Sequence, residues 1–221
     1  RPPRSTLFPY TTLFRSWLKL VEGVPGVSEI DVVEINPGYV DVIRRYPSHR
    51  GVLDDPRVRM HFDDGRRWLS LHRDRRYDLI VMNTTVHWRA YATLLLSREF
   101  LAEVRAHLKP GGLICFNATD SPDAVKTAAA IFSHVAAYDS FVYAGDHDFR
   151  PRFGAPAFVA AARAITLDGK PFLPPGGGAF MREMLGTPLR TLEEIEAAAG
   201  RPLEVITDRN MINEYRHAAP P

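Results

Sequence analysis

Glu29–Ile35 (EIDVVEI), Val58–Phe62 (VRMHF) and Tyr77–Met82 (YDLIVM) decide the fold of this chain. Each is a short apolar or β-branched run bounded by turn residues, the pattern of a strand. Each is also followed closely by a polar residue: Glu34 near the end of the first run, Asp64 after the second, Asn83 after the third. Tyr39–Tyr46 and Arg66–His72, which separate the runs, have helical spacing. Strand and helix in alternation predict an α/β fold, doubly wound, with a mostly parallel sheet. YDLIVM is almost continuously apolar, as expected of a central strand covered on both faces.

Working outward, Trp17–Val24 reads as a helix stopped by Pro25-Gly26, and Ser97–Leu108 as a strong helix closed by Lys109-Pro110-Gly111-Gly112. Leu113–Ala118 reads as another buried strand. Ser121-Pro122-Asp123 opens an alanine-rich helix expected to run to about Tyr138. Ser140–Ala144 and Ala157–Ala162 are expected to be an antiparallel pair at the sheet edge. Residues 17–164 are read as one domain. Ile165–Pro221, richer in Pro and Gly, is read as a C-terminal appendage with a capping box at Thr191 and Glu194.

The composition, 45% hydrophobic, 24% charged and 10% aromatic over 221 residues, excludes a disordered tail or a coiled coil. The single cysteine, Cys115, excludes a disulfide framework and a thiolate metal cluster. Thr6–Ser16, TLFPYTTLFRS, is the translation of a common sequencing adapter, so residues 1–16 are expected to be a non-native segment, excluded from fold reasoning. Setting aside Arg1, Arg4 and Arg15 leaves 25 basic against 26 acidic side chains, so the basic balance of the whole chain says nothing about partners. No Lys/Arg-rich run with interleaved aromatics remains to suggest nucleic acid.

In an open parallel sheet, ligands bind beyond the carboxyl ends of the strands. Glu34 can there accept from the two hydroxyls of a ribose. Asp64 can accept from an adenine amino group, with Gly65 allowing the ring to approach the backbone. Asn83 would face the sulfur end of such a nucleoside. As isolated residues, Glu34 reads equally as a surface acid, and Asp64-Gly65 more simply as a helix-opening turn. Three polar groups after three successive strands are the stronger signal.

VVEINP, LDDPRVRMHFDDGRRWL (Leu53–Leu69), YDLIVMN and LLLSREFLAEVRAHLKPGG (Leu94–Gly112) together resemble the spermidine synthase family of polyamine aminopropyltransferases, built on the Rossmann-like class I methyltransferase fold. VHWRAYATLLLSREF and ITDRNMINEY (Ile206–Tyr215) are similar to bacterial spermidine synthase-like domains fused behind a membrane transporter-like region. The resemblance implies a donor site for decarboxylated S-adenosylmethionine or S-adenosylmethionine, with Glu34 on the ribose and Asp64 on the adenine. It implies no metal, a small-molecule acceptor such as a polyamine, a cytoplasmic location, and an upstream transporter-like region or a homodimer as candidate partners. The family's first strand and Gly-rich loop are expected before Trp17, where the adapter stands. Where the family carries an Asp-Ser-Ser/Thr-Asp-Pro loop, this chain reads Asn83-Thr84-Thr85-Val86-His87, and both carboxylates are gone.

Aminopropyl transfer needs a deprotonated amine, and an Asn cannot accept the proton. Asn83 and His87 are therefore the candidate catalytic residues, His87 as a base whose pKa needs little tuning. Trp88, Arg89 and Tyr143 are candidate acceptor-binding residues, with Asp146 after the same late strand. Read individually, Trp88 fits a core position, Arg89 a surface ion pair and His87 a cap. Three activities stay open at this point: a spermidine synthase-like group transferase, a small-molecule methyltransferase on the same fold, and a non-catalytic nucleoside sensor attached to a transporter.

Overall fold

The computed structural model describes residues 17–45, 47–83, 92–118, 121–173 and 178–210, with main-chain detail only at 47–50. The fold is α/β, and the chain forms two compact units. One comprises the chain up to Gly65 together with Pro156–Gly177; the other begins at Arg66, excludes that insertion, and resumes at Gly178.

The first unit is built on the parallel pair β1 (Ile30–Glu34) and β2 (Val58–Phe62), in register from Ile30 opposite Val58 to Glu34 opposite Phe62. Two parallel strands cannot be joined by a tight turn, and here α2 (Gly38–Arg44) and α3 (Pro47–Asp54) make the crossover. Alternation along β1 sends Ile30 and Val32 into a core with Leu18 and Val52. Leu18 comes from α1 (residues 17–22). Arg57, just before β2, donates to the carbonyls of Glu22 and Val27, each at 3.0 Å, and forks onto Asp55. That guanidinium holds the Asp55 carboxyl down at about 2. A Cβ on Gly23 would stand 1.8 Å from the Thr166 carbonyl oxygen, so glycine is required where α1 meets the hairpin β7–β8 (Thr166–Leu167, Lys170–Pro171). Pro156–Ala164 is a helix, α7, which corrects the strand expected at Ala157–Ala162. A short apolar run fits either state, and alanine, the best helix former, makes up much of this one.

The second unit carries a four-stranded sheet in the order β3 (Tyr77–Met82), β4 (Leu108–Asn117), β6 (Phe141–Gly145), β5 (His134–Tyr138). β3 and β4 are parallel; β6 runs antiparallel to both β4 and β5. Among the described residues β3 is the edge strand of this sheet, and Leu79 is 48% exposed, against the expectation of a central strand covered on both faces. The helix opened by Ser121 ends early: α6 is Pro122–Ala129, and the residues expected to continue it form β5. Cross-strand pairing overrides the helix preference of its alanines, and Asp139, at φ 51°, makes the tight turn to β6. Lys109-Pro110-Gly111-Gly112, expected to close a helix, is the opening of β4. Register slips there from Tyr77 opposite Leu108 to Leu79 opposite Leu113, so the four residues form a bulge, with Gly111 at φ 80°.

α5 (Arg98–Ala106) is capped by Ser97, whose hydroxyl accepts from the Phe100 amide at 3.2 Å. Ile114 and Phe116 on β4, Leu101 on α5, and Ala124 and Ala128 on α6 are wholly buried. α4 (Gly65–Leu71), α8 (Gly178–Gly186) and α9 (Leu192–Ala198) complete the helices; α9 starts with the expected capping box, Thr191 with Glu194. Ile206 is also fully buried, and its amide donates to Thr127 Oγ1 at 2.8 Å. The chain after α9 is thus part of the core.

Ile206→Ala should lower unfolding free energy by about 2–5 kcal/mol in urea titration, the ordinary cost of emptying a buried aliphatic site. Burial pushes the Cys115 thiol up to about 11, and Tyr143, opposite it on β6, hydrogen-bonds the sulfur. Cys115 should therefore resist thiol-specific reagents at pH 8 in the folded protein and react fully once denaturant is added.

Candidate functional site

In the first unit the strand ends bring two of the sequence candidates to neighbouring positions. Because β1 and β2 are parallel and Glu34 pairs with Phe62, both strands finish at the same level. The ladder closes with the Asp63 amide donating to the Glu34 carbonyl at 3.2 Å. Glu34 therefore leaves one tip, and Asp63 and Asp64 leave the next. The Glu34 side chain is half-buried, and its Oε1 accepts from the Asn36 amide at 2.9 Å. The Asn36 side chain in turn accepts from the Gly38 amide at 3.0 Å, tying the acid to the start of α2. Asp64 is exposed, and its amide donates to Asp63 Oδ1 at 2.8 Å. Gly65 begins α4, and a Cβ there would meet nothing within 4 Å, so space is open over that backbone. Asp63 and Asn36, which hold the two acids, were not picked out from sequence.

In the second unit Asn83 directly follows β3, and its Oδ1 accepts from Asn117 Nδ2 at 3.2 Å. Asn117 ends β4, the parallel neighbour, so two amide side chains bridge two strand ends. The strand-end rule that points to Asn83 points equally to Asn117, which closes LICFN. Tyr143 lies within β6 opposite Cys115; its phenol is turned to that thiol, and burial raises its pKa. Asp146 is a correction. β6 is antiparallel to β4, with Gly145 opposite Leu113, so a residue after β6 stands at the amino end of β4 and away from Asn83. There it pairs with Arg105 at 2.7 Å. His87, Trp88 and Arg89 lie outside the described residues.

Among the described residues no group of three or more His, Cys, Asp or Glu side chains is placed to hold a metal ion, and no helix is long and apolar enough to cross a membrane. The chemistry on offer is acidic at the tips of β1 and β2 and neutral, amide-based, at those of β3 and β4.

Comparison with known proteins matches residues 18–140 to the spermine/spermidine synthase domain. A polyamine aminopropyltransferase of Agathobacter rectalis is 37% identical over 93 residues, 42% of this chain and 32% of that protein. One from Prochlorococcus marinus is 29% identical over 102 residues, 45% of this chain and 35% of that protein. The putrescine N-methyltransferase 2 of Nicotiana attenuata is 33% identical over 95 residues, 42% of this chain and 25% of that protein. The chain thus spans about a third or less of these relatives. Among solved structures, spermidine synthase from Thermotoga maritima superposes with a TM-score of 0.50 at 16% identity, over 72% of this chain and 60% of that one. Human methyltransferase-like protein 13 in complex with SAH superposes at 0.51 and 17% identity, over 77% of each chain. These structural likenesses establish the fold, a methyltransferase-like α/β architecture. The sequence match covers more than half of the 221 residues, and on it the chain belongs to the spermine/spermidine synthase family of transferases.

Proposed function

We propose that this protein transfers a group from a sulfonium derived from S-adenosylmethionine, with Glu34 accepting from the ribose hydroxyls and Asp64 from the adenine amino group. The single observation that supports the reading is the shared ending of β1 and β2, closed by the Asp63 amide on the Glu34 carbonyl. It places two carboxylates at the carboxyl ends of neighbouring parallel strands, where open α/β sheets bind nucleosides. The Glu34 carboxylate already accepts one N–H, from Asn36, and its remaining lone pairs suffice for a diol.

In aminopropyl transfer, an amine nitrogen attacks the methylene beside the sulfonium. The new C–N bond forms as the C–S bond breaks, methylthioadenosine leaves, and the amine proton passes to a base. Asn83 cannot be that base. Its amide, braced by Asn117, serves as a neutral polar contact, and in this reading the proton goes to His87, with Trp88 and Arg89 as acceptor-binding residues. A general base ordinarily contributes about 10²–10⁴ in rate, and without the second loop acid the site attracts a polycation less, so this reading favours an acceptor other than a polycation. Methyl transfer is the second reading, favoured by the putrescine N-methyltransferase among the relatives. It asks only that an already nucleophilic acceptor be positioned.

The full-length gene product, incubated with each sulfonium donor and a panel of amines, should release methylthioadenosine if it transfers aminopropyl and S-adenosylhomocysteine if it methylates. Release of neither, with nucleoside binding intact, leaves the sensor reading. Glu34→Gln should weaken donor binding about 10–100-fold by calorimetry, the worth of charge-assisted hydrogen bonds to a diol; unchanged binding removes Glu34 from the site. Asn83→Asp keeps an acceptor for Asn117 and, where the acceptor pocket is otherwise that of an aminopropyltransferase, should raise putrescine-dependent turnover. No gain would show that the acceptor is of another kind.

A further inference from the structure

The side-chain amides at the ends of β3 and β4 form a directed pair. Asn117 Nδ2 donates to Asn83 Oδ1 at 3.2 Å, so the Asn83 carbonyl oxygen is turned toward its neighbour. Asn117 is the fixed member. β4 is an inner strand, flanked by β3 and β6, and Asn117 is held in the ladder opposite Phe141. The next residue, Ala118, donates its amide to the Ser140 carbonyl at 2.9 Å, so the chain stays anchored past the strand end. Asn83, by contrast, stands one residue beyond Met82, the last of β3 to pair with β4. Its side chain takes the orientation that Asn117 sets.

An amide side chain has two ends of opposite polarity, a carbonyl that accepts and an amino group that donates. With Oδ1 committed to Asn117, Asn83 presents Nδ2 and its N–H groups. Among the described residues the Asn83 side chain has no other hydrogen bond. Where an aspartate would offer accepting oxygens to an ammonium, this position offers donors, and an ammonium is itself a donor only. Asn83 is half-buried, so setting an ammonium against it leaves polar groups unpaired away from water, the costly outcome. A carboxylate meets the same N–H groups with a charge-assisted hydrogen bond. The sequence that follows supports the same sign: from Thr84 to Ser97 there is no Asp or Glu, and Arg89 brings a positive charge.

We propose that Asn83 is a specificity-determining residue whose N–H groups select an acceptor amine that also carries a carboxylate, an amino acid rather than a diamine. Asn117 is the positioning residue that sets this polarity. The proposal deepens the transferase reading given above and rests on its placing of Asn83 against the acceptor. Selection then depends on the direction of one hydrogen bond between two amides, so reversing that bond reverses the preference.

The test measures acceptor binding to the full-length gene product by calorimetry, with 5′-methylthioadenosine saturating the donor site. Putrescine is compared with γ-aminobutyrate, and cadaverine with δ-aminovalerate; each pair differs only in a terminal aminomethyl group against a carboxylate. In each pair the wild type should bind the amino acid about tenfold more tightly, roughly the worth of one charge-assisted hydrogen bond. Asn83→Leu, which removes the donors without adding charge, should erase that preference, and Asn83→Ala should do the same. Asn117→Asp puts an acceptor against Asn83 Nδ2, turns the amide over and should reverse the preference toward the diamine. In the Asn83→Leu background the same change should not reverse it. A wild type that favours the diamine, or a preference that survives Asn83→Leu, overturns the assignment of Asn83. No reversal by Asn117→Asp, or a reversal that persists in the Asn83→Leu background, overturns the positioning role of Asn117. Binding of 5′-methylthioadenosine but of none of the four acceptors overturns the proposal while the donor site stands. If 5′-methylthioadenosine is not bound either, the transferase reading fails first and takes this inference with it.

Discussion

The register of one parallel strand pair governs the rest of the account. β1 and β2 align from Ile30 opposite Val58 to Glu34 opposite Phe62, and the Asp63 amide caps the ladder on the Glu34 carbonyl. A shift by one residue would turn Ile30 and Val32 out of the core shared with Leu18 and Val52. The hydrophobic pattern therefore fixes the register, and the register fixes which acids stand at the strand ends. Packing and candidate chemistry are set by the same alternation.

Strand direction decides just as firmly in the second unit. Parallel β3 and β4 deliver Asn83 and Asn117 to one end of the sheet, and their amides join there. Antiparallel β6 delivers Asp146 to the other end, where it becomes the partner of Arg105. An acid after a strand is a ligand candidate only when the strand points the right way. For an amine substrate the contrast is chemical as well as geometric, since the pair at the β3 and β4 tips can orient a group but cannot take its proton.

The parts of the fold that were legible in sequence are those where pattern and pairing agree. β1, β2 and β3 read correctly because each is a run of strand formers between turn residues, and α5 and α9 because Ser97 and Thr191 supply side-chain caps. Two of the misreadings fall on alanine. Ala157–Ala162 has the pattern of a strand and lies in the helix Pro156–Ala164; the alanine-rich stretch up to about Tyr138 has the composition of a helix, yet His134–Tyr138 is a strand held between turn and partner. Alanine contributes a local preference but almost no pattern, so tertiary pairing decides. Of the candidate site, Glu34, Asp64 and Asn83 were visible because the strand-end rule needs only sequence. Asn36, Asp63 and Asn117 were not, because their part is to hold other residues, which is a matter of contact. The ion pairs of the segment after α9 are invisible in sequence for the same reason: Arg66 meets Asp208, and Asp123 meets Arg201, only in the folded state.

The chain belongs to the spermine/spermidine synthase family, and the proposed occupant of the β1 and β2 tips is an adenosine-derived donor. The most direct test is a crystal structure of the full-length gene product with 5′-methylthioadenosine. The account requires the ribose hydroxyls within hydrogen-bonding distance of the Glu34 carboxylate and the adenine amino group at Asp64, over Gly65. A nucleoside bound elsewhere, with Glu34 engaged only by the Asn36 amide and Asp64 turned to solvent, would contradict it.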